Sequence, residues 1–154
     1  MLRITKLTDY AVVVLADMVL APVELADARA ARGVSERTRI PQPTVSKVLK
    51  QLARAGLVIS ERGKHGGYRL ARPARDITIA DIIDAVEGPI GLTECSTDPS
   101  GICELEGNCP LEANWVRINV AIRRALQDIT LEDMARPLEP GLVQLKRLSN
   151  IASA

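Results

Sequence analysis

The sequence predicts a mainly α-helical fold with one two-stranded β-hairpin and a long C-terminal amphipathic helix. Phe is absent and aromatic residues make up 2% of the 154 residues, so the core must be built from Leu, Ile, Val and Ala, which suits helices. Apolar residues recur at helical spacing in several segments. One stretch, LVISERGKHGGYRLARP, combines two short strand-like runs with a glycine-rich turn, which is typical of a hairpin.

The first 40 residues predict two helices. Ala11, Val14, Leu15 and Met18 lie at helical spacing, which indicates a first helix over about residues 5–20. The apolar run AVVVLADMVLAP is short and is interrupted by Asp17, so it indicates a buried helix and neither a signal peptide nor a membrane span. The segment LADARAARGVSERTR, which is rich in Ala and Arg, predicts a second helix without a defined start.

The segment IPQPTVSKVLKQLARAG predicts the third helix. Pro43 suits the first helical position because it has no N–H to leave unsatisfied, and Gly56 suits the position after the last turn. An apolar stripe follows the i, i+3, i+4, i+7 pattern with Val45, Val48, Leu49 and Leu52. The opposite face carries polar and basic residues: Thr44, Ser46, Lys47, Lys50, Gln51 and Arg54.

The predicted strands cover residues 57–61 and 68–71, and the hairpin carries basic residues: Arg62, Lys64, Arg69 and Arg72. Three helices followed by a basic hairpin form the element order of a winged helix-turn-helix, which is the predicted fold class. In such a fold the third helix enters the major groove of DNA and presents side chains to base edges. Lys and Arg around it would contact phosphates and supply salt-dependent affinity.

The net charge of +1 conceals an asymmetry between the two halves of the chain. Residues 1–75 carry 14 Lys and Arg against 6 Asp and Glu, whereas residues 76–154 carry 6 against 13. The basic N-terminal half favours a polyanionic partner such as nucleic acid. The acidic C-terminal half disfavours non-specific nucleic-acid binding there.

The C-terminal half predicts three further helices. Thr78 and Asp81 form a capping-box pattern before an apolar stripe that Gly88 ends, and DITLEDMARP predicts a short capped helix. Between them, a long helix beginning near Pro110 has a near-heptad seam of Leu111, Trp115, Ile118, Ile122, Leu126 and Ile129. We expect the seam to pair with the same helix of a second subunit, since a palindromic DNA site requires a two-fold symmetric protein.

The expected domain organisation has four parts. Residues 1–75 would form the winged helix-turn-helix DNA-binding domain, and residues 76–109 a linking helix with a cysteine-rich loop. Residues 110–136 would form the dimerisation helix and the short helix after it. Residues 137–154 would be a tail.

All three cysteines, Cys95, Cys103 and Cys109, fall in one stretch with C-x7-C-x5-C spacing. An odd count disfavours a disulfide framework, and the spacing departs from the pairs typical of structural zinc sites. The single His65, in the hairpin turn, is a poor base for a cysteine nucleophile, so we expect no enzyme. Two interpretations remain open, thiolate ligation of iron and reversible thiol oxidation without a metal, and the spacing does not separate them.

Several motifs spread over about residues 2–134 carry a resemblance to a known family. They are LTDYAVVVLA, PTVSKVLKQLARAGLV, ERGKHGGYRLARP, ITIADIIDAVEG, the three-cysteine stretch ending in CPLEANW, and ITLEDM. On these motifs the chain resembles the Rrf family of winged-helix transcription regulators, in the group that includes IscR, NsrR and RirA. Within that group it is most similar to regulators of iron–sulfur cluster assembly operons.

The resemblance implies a homodimer that binds a near-palindromic operator on double-stranded DNA and holds an iron–sulfur cluster. Cys95, Cys103 and Cys109 would be cluster ligands. IscR-like members have a histidine three residues after the last cysteine, where this chain has Glu112. The fourth ligand is therefore open between Glu112, Asp9 of the partner subunit, water and a small thiol. A [2Fe-2S] cluster is favoured, and a [4Fe-4S] cluster is the alternative.

The resemblance also implies DNA-contacting residues, namely Gln42, Thr44, Ser46, Lys47 and Lys50 in the third helix, with Arg62 and Lys64 in the wing. It implies a cytoplasmic repressor that responds to iron or redox status and controls iron–sulfur cluster assembly genes. One alternative is a metal-free thiol redox switch on the same fold. A second alternative is a small cluster carrier or redox protein.

Overall fold

A computed structural model describes residues 3–21, 30–63, 66–93 and 109–136 of the chain. Within these ranges the elements follow in the order α1 (Lys6–Leu20), α2 (Ala31–Thr38), α3 (Gln42–Arg54), β1 (Val58–Glu61), β2 (Gly67–Leu70), α4 (Ile79–Glu87), α5 (Glu112–Gln127) and α6 (Leu131–Ala135). The predicted mainly α-helical winged helix-turn-helix is confirmed. No helix in the described ranges is long and apolar enough to cross a membrane.

Helices α1, α2 and α3 pack around one apolar core. The predicted stripe on α3 is fully buried, and it meets Val14 and Leu15 of α1 and Val34 of α2. α3 begins at Gln42, one residue before the predicted Pro43. Gly56 follows the helix with φ +72°, a left-handed conformation that costs glycine little because it has no Cβ.

The hairpin after α3 is antiparallel, with Val58 opposite Leu70 and Glu61 opposite Gly67. β1 begins one residue later than predicted, and β2 begins and ends one residue earlier. The Ala71 N–H still donates to the Leu57 carbonyl at 3.0 Å. Leu57 and Val58 are buried. The base of the hairpin is thereby fixed to the core.

Helices α4 and α6 begin side by side on the same core. Both predicted caps are present as capping boxes, Thr78 with Asp81 and Thr130 with Asp133. The two caps are joined by a β-bridge in which the Leu131 N–H donates to the Ile77 carbonyl at 2.8 Å. Ile77 and Leu131 are fully buried, so the core of the winged helix continues past residue 75.

The N-terminus of α1 is held by a carboxylate from the end of α4. Glu87 Oε1 accepts a hydrogen bond from the Thr5 N–H at 3.0 Å and another from the hydroxyl of Thr8, which is fully buried. The hydrogen bond from Thr8 is the main cause that lowers the pKa of Glu87 below its usual value. A negative charge at this end of a helix is also favoured by the helix dipole.

Candidate functional site

The exposed face of α3 forms a shallow surface groove. The residues that line it are Pro43, Ser46, Lys47, Lys50, Gln51 and Arg54. They lie three or four positions apart because the buried stripe of the same helix takes the opposite side. The structure therefore brings together three residues predicted to contact DNA, Ser46, Lys47 and Lys50, on one accessible surface.

The positive charges of this groove are not neutralised within the described part of the chain. Lys47, Lys50 and Arg54 have no carboxylate within ion-pair distance there, whereas Arg69 pairs with Glu61 and Arg72 with Asp81. Unpaired cations on one helix face can each bind a phosphate without first breaking an ion pair. The α3 face is thus a basic surface of the described structure that suits a polyanion.

The remaining predicted contacts on α3 lie near its N-terminus. Gln42 is exposed in the first turn, and Thr44 and Ser46 are half-buried. Small side chains at this end allow the helix backbone to approach a groove floor closely. Such an arrangement suits contacts to base edges, which the N-terminal residues of a recognition helix make.

Two groove residues were on the predicted polar face but were given no role. Gln51 and Arg54 follow Lys47 at the helical steps of four and three, so periodicity alone could have added them. The Gln51 Oε1 is buried and has no hydrogen-bond partner among the described residues. Arg54, in the last turn of α3, is exposed and adds a third charge to the groove.

The tip of the hairpin presents Arg62, which is exposed. The turn is closed by the Gly66 N–H, which donates to the Gly63 carbonyl at 2.9 Å, and Gly63 has φ +116°. A Cβ on Gly66 would lie 2.9 Å from that same carbonyl oxygen, so this position requires glycine. Lys64, the other predicted wing contact, lies outside the described residues.

Cys109 lies immediately before α5 and is half-buried. The Glu112 N–H donates to the Cys109 carbonyl at 3.3 Å, so both residues belong to the entry turn of the helix. No side chain caps α5, and the dipole at a helix N-terminus favours an anionic group. Cys95 and Cys103 lie outside the described residues. Among the residues that the structure describes, no group of three or more His, Cys, Asp or Glu could hold a metal ion.

Asp9 is exposed in the first turn of α1. It borders a groove of about 530 Å³ between α1, α4 and α6, whose apolar lining includes Ile4, Ile129 and Met134. Within one chain, Asp9 belongs to α1, whereas Cys109 belongs to the entry turn of α5. This placement leaves the choice between Asp9 and Glu112 as a fourth ligand open.

Helix α5 is attached to the end of α4 by polar contacts. Arg123 donates to both carboxylate oxygens of Asp84, at 2.5 Å and 3.2 Å, which raises the pKa of Arg123 above its usual value. Asn119, which is 8% exposed, donates through Nδ2 to the Ile90 carbonyl at 3.2 Å. These contacts orient α5 relative to α4 more specifically than apolar packing alone does.

Some residues of the predicted seam of α5 are half-buried, and others are exposed. Ile122 and Leu126 are half-buried, and Leu126 packs against the core. Trp115, Ile118 and Ile129 are 39%, 43% and 41% exposed. Trp115 and Ile118 are exposed on α5 itself, whereas Ile129 lies beyond the last residue of the helix. Exposed apolar surface of this kind is typical of a protein–protein contact.

Comparison with known proteins agrees with these features. Residues 4–137 match the protein family described as Rrf2, an iron-dependent transcriptional regulator. A protein named aau3 from Rhizobium meliloti is 36% identical over 141 residues, which cover 88% of each chain. The transcriptional regulator IscR of Vibrio atlanticus is 32% identical and covers 90% of this chain and 78% of its own length. The regulator NsrR of Oceanobacillus iheyensis is 32% identical, with coverages of 88% and 90%.

Solved structures share the fold. The structure of CymR, named as the global cysteine regulator of B. subtilis, has a TM-score of 0.63 and 30% identity, and it covers 88% of this chain and 97% of that one. IscR of T. potens has a TM-score of 0.59 and 25% identity, with coverages of 92% and 96%.

Proposed function

We propose that this chain, which belongs to the Rrf2 family of transcriptional regulators, is a dimeric repressor controlled by an iron–sulfur cluster. The family consists of regulators that bind DNA, are typically dimeric and are not enzymes. The observation that carries the DNA-binding part is the set of unpaired cations on the exposed face of α3. A cytoplasmic location follows from a chromosomal DNA partner.

In the proposed complex α3 lies in the major groove of double-stranded DNA. Gln42, Thr44 and Ser46 would face base edges, and Lys47 and Lys50 would contact phosphates. Arg62 and Lys64 of the wing would reach the neighbouring minor groove or backbone. Two such heads related by a two-fold axis would read a near-palindromic operator.

The dimer is proposed to form through α5. Trp115 and Ile118, which are exposed on α5, and the exposed Ile129 just beyond its last residue support a contact with the equivalent surface of a second copy. Ile122 and Leu126, which also belong to the predicted seam, would contribute through the sides that their own chain leaves accessible. A contact across a two-fold axis is isologous, so each residue contributes to it once from each subunit.

The cluster ligands would be Cys95, Cys103 and Cys109. The described end of this segment fits an anionic iron–sulfur group, because Cys109 is only half-buried at an α5 N-terminus that no side chain caps. The fourth ligand would be Glu112 or Asp9 of the partner subunit. When bound, a cluster supplies a ligation state that depends on iron and on redox conditions. A [2Fe-2S] cluster is favoured over a [4Fe-4S] cluster.

The attachment of α5 suggests how the cysteine segment would be coupled to the DNA-binding heads. Asn119 and Arg123 of α5 hold Ile90 and Asp84, on the N-terminal side of residues 94–108. Cys109, at the C-terminal side of the same residues, leads directly into α5. Both sides are therefore tied to one helix, so ligation of a cluster by the cysteines would bias the orientation of α5 and the spacing of the two heads.

Iron and acid-labile sulfide analysis of protein purified without oxygen tests the cluster directly. We expect both elements to be present together with visible absorbance, and each of Cys95→Ala, Cys103→Ala and Cys109→Ala to remove that absorbance. Retained absorbance in all three variants would contradict the ligand assignment. A gel shift with the duplex upstream of the protein's own gene, with and without cluster, tests the regulatory part.

A metal-free thiol switch on the same fold is the second candidate. It is supported by the structural similarity to CymR, whose name refers to cysteine. This candidate predicts DNA binding that changes with thiol oxidation in protein without iron. The names of the IscR relatives favour the cluster, and with it control of iron–sulfur cluster assembly genes. Membership in a family of regulators leaves the cluster-carrier alternative without support.

A further inference from the structure

The turn between α2 and α3 contains an unusual backbone conformation. Arg39 ends α2 with φ +58° and ψ +18°, and among the described residues it is the only non-glycine residue with a positive φ. A side chain disfavours this left-handed region because its Cβ approaches the neighbouring carbonyl oxygen. Glycine or asparagine would occupy the position at lower conformational cost.

The surrounding turn holds Arg39 in this conformation. The Ser35 hydroxyl donates to the Ile40 carbonyl at 2.7 Å, and the Ile40 N–H donates to the Thr38 hydroxyl at 3.3 Å. Ile40 is 5% exposed, so its side chain is anchored in the core. The backbone at Arg39 is thus determined by contacts of its neighbours and not by its own side chain, which is exposed.

The ion pairing of Arg39 also differs from that of the neighbouring arginines. Arg32 pairs with Glu36 at 2.9 Å, and Arg37 pairs with Asp17 of α1 at 2.7 Å. Arg39 has no carboxylate within ion-pair distance in the described part of the chain, although it lies only three residues before the first residue of α3. Its charge therefore adds to the unpaired basic surface that α3 presents.

We propose that Arg39 is a further DNA-contacting residue whose guanidinium binds a backbone phosphate beside the major groove that α3 enters. The inference rests on the proposed DNA-binding function, and it adds a residue from the turn to those of the helix and wing. A planar guanidinium suits a phosphate because it can donate two parallel hydrogen bonds. The contact explains why a conformation that favours glycine is occupied by arginine. A phosphate contact strengthens binding to any sequence, so it contributes affinity and not specificity.

Three substitutions separate the charge of Arg39 from its backbone conformation. Arg39→Gly and Arg39→Asn remove the charge and suit the backbone, whereas Arg39→Lys keeps the charge. Arg136→Gln, at the residue that follows α6, is the control for an equal change in net charge. The probe is a fluorescently labelled random-sequence duplex, and the affinity is measured by anisotropy between about 50 and 200 mM salt. Thermal denaturation of each variant is followed in parallel.

We expect Arg39→Gly and Arg39→Asn to bind the duplex about 3- to 10-fold more weakly at about 0.1 M salt. The slope of log K against log salt should fall by about 0.9 for each copy of the turn that the DNA engages. Arg39→Lys and Arg136→Gln should keep the slope of the unchanged protein. The Tm of Arg39→Gly should rise by about 2 °C, since the strain is relieved. A variant that is more stable and yet binds less tightly would identify the arginine as functional.

Unchanged affinity and slope in Arg39→Gly, while the unchanged protein binds the duplex, would overturn the contact and leave the proposed function intact. A slope for Arg39→Lys as low as that of Arg39→Gly would also overturn it, because charge would not be the property that matters. A Tm several degrees lower in Arg39→Gly would assign the side chain a structural role instead. If the unchanged protein did not bind the duplex at any salt concentration, the proposed function and this inference would both fail.

Discussion

Asp84, in the last turn of α4, binds the Arg123 guanidinium of α5 through both of its carboxylate oxygens, at 2.5 Å and 3.2 Å. The same carboxylate accepts the Ile90 N–H at 3.1 Å. One side chain therefore connects α4, the segment that leads towards Cys95, and the helix that begins after Cys109. These contacts of Asp84 form a junction between the cysteine segment and the DNA-binding helices. A structural change at the cysteines would have to pass through this junction to affect DNA binding.

Loss of this junction should weaken the coupling between the cysteines and DNA affinity more than it lowers the free energy of unfolding. Arg123→Gln should destabilise the fold by about 1 kcal/mol or less, because the pair is only partly buried. It should also reduce the difference in DNA affinity between protein with and without cluster. Urea denaturation and gel shifts of both forms measure the two effects. Asp84→Asn in the same background supplies a double-mutant cycle, and additive effects of the two changes would contradict a direct coupling.

Lys47→Ala should weaken binding to all DNA sequences to a similar extent. Because Lys47 is exposed in the α3 groove without a carboxylate partner in the described residues, its loss removes one phosphate contact per head. The slope of log K against log salt should fall by about 0.9 per head in an anisotropy titration. Lys6→Ala on α1 removes the same charge and should leave the slope unchanged. An equal fall in both variants would indicate a non-specific effect of net charge.

Ile118→Asp should shift the protein from dimer to monomer. Ile118 is 43% exposed on α5, so the charge would be tolerated in a monomer but would be buried without a partner in the proposed contact. Analytical ultracentrifugation should show a dimer dissociation constant raised at least about 10-fold, which corresponds to about 1.4 kcal/mol, with an unchanged circular dichroism spectrum. Ile59→Asp, at a similarly exposed position on β1, should remain dimeric. A dimeric Ile118→Asp would exclude this surface.

The carboxylate of Glu87 should make stability depend on pH. Its folded-state pKa is lowered, chiefly by the Thr8 hydroxyl, so the unfolded state binds a proton more readily. The ionised group therefore contributes stability above its ordinary pKa, and this contribution is lost as the pH falls through the lowered value. The stability advantage of the unchanged protein over Glu87→Gln should shrink on acidification. Thr8→Val removes the main donor and should reduce that pH-dependent difference, and an unaltered difference would contradict the assignment.

The elements that local sequence determines could be predicted. The apolar stripe of α3, both capping boxes and the glycine after α3 depend on residues within one or two helical turns of one another. Contacts between distant segments could not be predicted, because nothing in the local pattern pairs Glu87 with Thr8 or Asp84 with Arg123. Helix starts were displaced by one or two residues at Pro43 and Pro110, since a proline fits several positions near an N-terminus.

The candidate site also combines features that the local sequence predicts with features that it does not. The exposed polar face of α3 followed from periodicity, and the structure shows that Gln51 and Arg54 line the same groove. The left-handed backbone at Arg39 could not be anticipated, because arginine has no preference for that conformation and its neighbours impose it. The seam of α5 was predicted as one surface, although Leu126 packs against its own chain. Periodicity identifies an apolar stripe but not the surface that covers each part of it.

Control of DNA binding by a cluster on the cysteines can be measured as a difference in affinity. The affinities of the cluster-loaded and the cluster-free protein for the duplex upstream of its own gene are compared anaerobically. We expect the two affinities to differ by at least about 5-fold, as is usual for allosteric coupling, in one direction or the other. Cys109→Ala, which should hold no cluster, should bind the duplex like the cluster-free protein even after the loading treatment. Equal affinities of the two forms, in protein shown to contain iron and sulfide, would rule out control of DNA binding by the cluster.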